Sequence, residues 1–199
     1  MKTTLILVRH GETMKNVEGK MHQKGDEELL TDLGKVQIQK TADKLKKLKI
    51  SKVFSSDEVR AIESSKIIAS VCGVPSEIIE GMEERNWGIY ANKSWSEVKA
   101  ILDPLTFEER YTYTPEDGES WKTFERRLIN AINKLIENYI NKVVVVITHG
   151  GAIRALVPYL LGVKKEESYK YDPKNASITI VEFEKGKITP LCVDNTDHL

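Results

Sequence analysis

Residues 143–147 are apolar at every position and run straight into Thr148-His149-Gly150-Gly151. A strand with two apolar faces has to be covered on both, which a parallel sheet between helix layers achieves. The residues that follow, 151–161, have helical character, so a buried strand feeds directly into a helix. The same alternation recurs upstream. Residues 4–8 and 52–55 are further strand candidates, while 34–49, 61–71 and 120–139 carry helical period. In the first of these helices Ile38, Ala42, Leu45 and Leu48 share one face, and Thr31 stands as its start signal. Residues 177–183 and 187–193 read as late strands joined at Lys185-Gly186. The pattern predicts an α/β fold, a three-layer α/β/α sandwich with a mostly parallel central sheet. Residues 85–119 break it: periodicity is weak, aromatics are dense, and Pro104 and Pro115 interrupt. They read as a lid inserted into a single domain spanning 1–199.

Composition narrows the function classes. Thirty Lys and Arg balance thirty Asp and Glu, so net charge offers no reason to expect nucleic acid or an anionic membrane as partner. The lysines between Lys40 and Lys52 have no aromatics among them for base stacking and read as a solvated helix face. Cys72 and Cys192 form no ligand spacing, which argues against a disulfide framework or structural zinc and fits a cytoplasmic location. No apolar run is long enough for a membrane span. No apolar stripe remains to assign an oligomeric state.

In open α/β sheets, ligands bind where strand carboxyl ends meet the following loops. Three such ends carry chemistry here: Arg9-His10-Gly11-Glu12-Thr13, Ser55-Ser56-Asp57-Glu58-Val59-Arg60, and Thr148-His149-Gly150-Gly151. Singly, each histidine or arginine has a structural or surface reading. Together, two imidazoles, two guanidiniums and two glycine-flanked loops describe a phosphate pocket, because guanidiniums bind phosphate oxygens bidentately and glycines let backbone N–H groups approach an anion.

Arg9-His10-Gly11-Glu12-Thr13 resembles the signature of the histidine phosphatase superfamily, the phosphoglycerate mutase-like family. Leu30-Thr31-Asp32-Leu33-Gly34, Ser55-Ser56-Asp57 with Arg60-Ala61, Glu84-Arg85-Asn86-Trp87-Gly88, Gly118-Glu119-Ser120 and Thr148-His149-Gly150-Gly151 extend the resemblance over essentially the whole chain. It implies that His10 is the nucleophile of an in-line displacement through a phosphohistidine. Arg9, Arg60 and His149 would clamp the phosphoryl oxygens, with Asn16 and the backbone N–H of Gly150 as further phosphate donors. Glu84 would protonate the leaving oxygen and then activate water. Glu83 adjoins it, so spacing alone leaves the acid open between the two. Glu12 also lies beside the nucleophile, and reads equally well as a structural carboxylate that pairs with Arg9 or Arg60 and holds the loop. The resemblance implies no metal and no cofactor. Against the common pattern, His22-Gln23-Lys24-Gly25-Asp26 carries one extra residue before its glycine.

Three functions fit these residues: a phosphomonoesterase acting on a small phosphorylated metabolite, a phosphoglycerate mutase, and a non-catalytic binding protein on the same fold. The lid bears on the first two. Its four basic and seven acidic residues give a net charge of −3, and Trp87, Tyr90, Trp95, Phe107, Tyr111 and Tyr113 make it aromatic. A mutase retains a strongly anionic bisphosphorylated intermediate, so an acidic lid favours the phosphatase, with a substrate whose body is apolar or cationic.

Overall fold

The computed structural model describes residues 2–199. In chain order the elements are β1 (Lys2–Arg9), α1 (Met14–Glu18), α2 (Asp32–Leu45), β2 (Lys52–Ser55), α3 (Val59–Cys72) and β3 (Ser76–Ile78), then α4 (Trp95–Leu102), α5 (Phe107–Thr112) and α6 (Trp121–Asn138), and finally β4 (Val143–Thr148), α7 (Gly150–Leu161), β5 (Ile178–Glu184) and β6 (Lys187–Asn195). The six strands form one sheet in the order β3-β2-β4-β1-β5-β6. β1, β2, β3 and β4 pair in parallel, and β5 runs against β1 and β6.

The all-apolar central strands have the two-sided burial that their sequence requires. Leu5, Leu7, Val144 and Val146 face a cluster with Phe124, Leu128 and Ile132 of α6 and Ile153 and Leu156 of α7. Their neighbours Ile6, Val8, Val145 and Ile147 face the opposite way, against Ile38, Ala42 and Leu45 of α2 and Ala61 and Ile68 of α3. Period-two alternation along each strand therefore divides one apolar run between two helix layers. This is the expected α/β sandwich.

Local signals set the helix ends. The Thr31 hydroxyl accepts from the N–H of Gly34 and starts α2, and Ser120 does the same for α6 through Thr123. α2 stops at Leu45, short of the expected end, so Leu48 lies beyond the helix and is half-exposed rather than on its buried face. Gly34 is demanded by packing, since a Cβ there would overlap the Glu12 carbonyl. α2 and the loop after β1 therefore lie in direct backbone contact.

The expected lid is more regular than its periodicity suggested. α4 and α5 each open with a capping box, Ser94 with Glu97 and Thr106 with Glu109. Trp87, Tyr90, Val98 and Leu102 form a small core of their own, with Met21, Leu105 and Tyr113 packed against it. Phe107 and Tyr111 join the main core instead. Backbone bonds from Met21 to Lys93, from Asn92 to Met21 and from Trp95 to Gly19 fasten the loop after α1 to this segment. Among the described residues, no helix is long and apolar enough to cross a membrane.

Candidate active site

β1, β2 and β4 end side by side, so the loops that carry His10, Ser56 to Arg60, and His149 converge at one edge of the sheet. His10 and His149 are both buried, with ring centroids 5.2 Å apart. Nδ1 of His10 lies 2.7 Å from the carbonyl of Gly11. A carbonyl only accepts, so Nδ1 carries the proton and Nε2 keeps its lone pair. Arg60, fully buried, donates from Nε to that Nε2 at 3.2 Å. It also reaches Nδ1 of His149 from Nη2 at 3.2 Å, and Nε2 of His149 lies 2.7 Å from the Ser56 hydroxyl. Because a guanidinium cannot accept, His149 is the Nε2–H tautomer donating to Ser56. Burial, then the charges of Arg60 and Arg9, hold the His10 pKa well below the usual histidine range. Burial and Arg60 do the same for His149.

Arg60 is neutralised by Glu58, with which it forms a buried ion pair. Burial raises the Glu58 pKa, and Arg60 opposes that rise. Of the guanidinium nitrogens buried without a hydrogen-bond partner, two belong to the arginines of this loop cluster, Nη1 of Arg60 and Nε of Arg9. Nη1 of Arg9 is anchored on the carbonyl of Pro173 at 2.7 Å. Unpaired buried donors are costly, and two beside one imidazole mark a place prepared for an anion. α7 begins here as well, with Gly150 at its first position and Cβ space at 150 taken by Arg9.

Glu84 points into the same site. Its Oε2 accepts from the N–H of Gly151 at 2.9 Å and its Oε1 from the N–H of Arg85 at 2.8 Å. Position 151 has to be glycine for this, because a Cβ would run into the Glu84 carboxylate. Glu83 turns away, accepting from the N–H of Gly81 and pairing with Arg127 at 3.2 Å. The geometry thus distinguishes the two neighbouring carboxylates, which spacing could not. Asn16 receives the N–H of Thr13 on its Oδ1 at 3.2 Å, leaving Nδ2 for the cavity that Asn16 lines. Glu12 departs from expectation. It pairs with neither arginine, and its Oε1 instead accepts from the Thr31 hydroxyl at 2.9 Å. The Arg60 partner is Glu58, two positions earlier at the start of α3.

A cavity of about 220 Å³ is lined by His10 together with Arg9, Asn16, His22, Glu84, Gly150 and Gly151. Arg60 and His149, fully buried, are not among the residues that line it. His22, quoted above only for the spacing of its segment and given no role there, sits edge-on to His10 with ring centroids 5.8 Å apart. Burial, followed by the charges of Arg60 and Lys15, pushes its pKa down to about 2. The rest of the wall includes Met21, Trp87, Trp95, Trp121, Leu102 and Tyr169 with Lys20, Arg85, Arg110, Arg154 and Asp172. This overturns the electrostatic premise drawn from lid composition. None of the seven acidic lid residues lines the cavity, whereas Arg85 and Arg110 of the same segment do. The lid carboxylates face outward as helix caps, as with Glu97 and Glu109, or pair with Arg110 and Arg127, as with Asp103 and Glu119. Among the described residues no group of three or more His, Cys, Asp or Glu is placed to hold a metal ion.

Comparisons with known proteins agree with this geometry. Residues 5–196 match the family model of the histidine phosphatase superfamily, branch 1. The chain is 35% identical over 158 residues to phosphoglycerate mutase-like protein 4 of Arabidopsis thaliana, covering 76% of this chain and 68% of that one. It is 30% identical to the 2,3-bisphosphoglycerate-dependent phosphoglycerate mutase of Thermoplasma acidophilum, over 98% of this chain and 94% of the other. Among solved structures, a histidine-to-alanine mutant of phosphoserine phosphatase from Entamoeba histolytica in complex with phosphoserine superimposes with a TM-score of 0.87 at 27% identity, covering 99% of both chains. The same enzyme in complex with 3-phosphoglyceric acid gives 0.85 at 25% identity, over 98% of both.

Proposed function

The chain belongs to the histidine phosphatase superfamily, and within it we propose a phosphomonoesterase that transfers a phosphoryl group to His10 and then to water. The observation that carries this reading is the pair of buried, unpartnered N–H groups, Nε of Arg9 and Nη1 of Arg60, flanking an imidazole whose Nε2 lone pair faces reaction. A phosphate oxygen accepting from Arg60 draws its guanidinium off His10 Nε2, freeing the lone pair for attack. As the P–O bond to the leaving group breaks and the N–P bond forms, charge on the phosphoryl oxygens is held by Arg9, Arg60, the Asn16 amide and the Gly150 N–H. His149 acts through Arg60, its Nδ1 holding Nη2 of that guanidinium, rather than by touching phosphate. Protonated Glu84 gives its proton to the leaving oxygen. The resulting carboxylate then takes one from the water that attacks phosphorus and releases His10. Guanidiniums supply the positive charge throughout, so the reaction draws on no metal and no cofactor.

The wall also supports a narrower substrate class than a sugar-like or cationic body. Arg85, Arg110 and Arg154 each spend N–H groups on backbone carbonyls. Arg110 nevertheless keeps a buried Nε without a partner. One strong phosphoryl cradle and one weaker cationic wall suit a small monoester bearing a carboxylate, the chemistry shared by the phosphoserine and 3-phosphoglyceric acid held by the Entamoeba enzyme. The cationic wall equally favours a second reading, a phosphoglycerate mutase. One assay separates the two: phosphate release from phosphoserine, phosphoglycerates and p-nitrophenyl phosphate with EDTA present, alongside interconversion of 3- and 2-phosphoglycerate. Release without interconversion supports the hydrolase. Interconversion with little release establishes the mutase instead.

A further inference from the structure

The four residues before Ser177 and β5 reach the nucleophile loop with three separate groups. The carbonyl of Pro173 anchors Nη1 of Arg9, and the N–H of Ala176 lies 3.0 Å from the carbonyl of Arg9 and 3.2 Å from that of His10. Asn175 makes the third contact. Its Nδ2 lies 3.1 Å from the carbonyl of His10 and 3.0 Å from Oδ1 of Asn16. A carbonyl only accepts, so Nδ2 is the Asn175 atom that faces His10, and its two protons serve the two acceptors. On Asn16 the orientation is equally constrained, since the N–H of Thr13 also donates to Oδ1 at 3.2 Å.

We propose that Asn175 is a positioning residue for the phosphoryl site: by pinning Oδ1 of Asn16 it keeps the Nδ2 donor of that amide facing the cavity. This rests on the reading of Asn16 as a phosphate ligand. The two ends of a side-chain amide have nearly the same shape, so an amide held by one bond can turn over and present an acceptor to the anion. Two donors on one oxygen prevent that. The carbonyl of His10 keeps the Ala176 N–H when Asn175 is removed, so the nucleophile loop does not acquire an orphaned acceptor.

The test is binding of inorganic phosphate, followed by calorimetry so that no turnover is required. Asn175→Ala is expected to weaken binding about three- to tenfold, the range of one modest hydrogen-bond effect. In an Asn16→Ala background the same substitution is expected to change binding less than about twofold, since the group it acts through is gone. Equal losses in both backgrounds, or no loss with Asn16 present, overturn the proposal. Asn16→Ala alone has to weaken binding; unchanged binding there also overturns it, while leaving the assays of the phosphomonoesterase reading untouched. Should Asn175→Ala fail to fold, Asn175→Asp preserves size and sets an acceptor against Asn16. Its loss is expected to shrink at least threefold in the Asn16→Ala background, and an undiminished loss overturns the proposal.

Discussion

Nε of Arg60 stands 3.2 Å from Nε2 of His10, so a guanidinium covers the lone pair of the imidazole it keeps neutral. The contact works in two directions. It disfavours the imidazolium form, and it supplies an N–H that a phosphate oxygen can take over. Arg60 in turn is fixed by Glu58 and by Nδ1 of His149. Removing one partner of such a buried ion pair costs about 3–5 kcal/mol.

The pH dependence of activity follows from the burial of His10 first and from this contact second. Neutral His10 is the attacking form, and its folded pKa lies well below the usual range. The acid limb of kcat/KM is therefore expected well below pH about 6.5, the unperturbed histidine value. A profile on p-nitrophenyl phosphate from pH 4 to 9 checks this, allowing for ionisation of the substrate. An acid limb centred on an ordinary histidine value would remove His10 from the nucleophile role.

Glu84 and Gly151 are expected to fail together. Glu84→Gln should lower kcat on an alkyl phosphate by roughly 10²–10⁴, the usual share of general acid catalysis, and much less in the first step on p-nitrophenyl phosphate. Gly151→Ala crowds the Glu84 carboxylate and should show the same leaving-group dependence in milder form. Glu83→Gln should not, because Glu83 faces Arg127. The ratio of kcat/KM on the two substrates, which reports phosphoryl transfer to His10 without the later attack of water, reads all three variants.

Stability should decline with acidity. His10, His22 and His149 are held neutral in the folded protein and take up protons once unfolded. A lowered folded pKa means the unfolded state binds more protons, so their contribution is whole above the unfolded histidine value and is lost as pH falls below it. Each can contribute a slope of up to about 1.4 kcal/mol per pH unit below pH about 6.5. Urea unfolding at pH 7.5, 6.5 and 5.5 should show the decline, with a shallower slope for His22→Asn. An unchanged slope in that variant would mean His22 titrates normally.

Arg110 tests the anionic-body reading of the substrate. Arg110→Met is expected to lower kcat/KM on phosphoserine or a phosphoglycerate about tenfold or more, the range of one charge-assisted hydrogen bond. The loss on p-nitrophenyl phosphate should stay within about threefold, since that ester has no second anion to lose a contact. Equal losses on both would place Arg110 in the lid's structure alone, where it already binds the carbonyl of Leu102.

What the sequence disclosed follows what periodicity and fixed spacing can encode. β1, β2 and β4 are buried runs, and the loops that follow them bring Arg9, His10, Arg60 and His149 together because parallel strands end at one edge. β3 was missed: its three residues, Ser76-Glu77-Ile78, are all exposed and carry no alternation. The lid helices did carry a signal, the Ser94–Glu97 and Thr106–Glu109 capping boxes, which weak periodicity obscured. Lid charge misled because a sum over residues ignores direction. Glu97 and Glu109 cap helices on the solvent side, while Arg85 and Arg110 turn inward. His22 stood in a segment singled out only for its spacing, and Asn175 in none, because each reaches the site from a loop whose path only the tertiary fold determines.

The central claim is that the phosphoryl group passes through His10. Mixing enzyme with substrate, quenching in alkali and mapping the peptides by mass spectrometry tests it most directly. The expected result is a transient phosphoryl adduct on the peptide that carries His10, decaying as inorganic phosphate appears and absent from His10→Ala. Phosphate release with no adduct, or an adduct that persists on His10→Ala, would contradict the account.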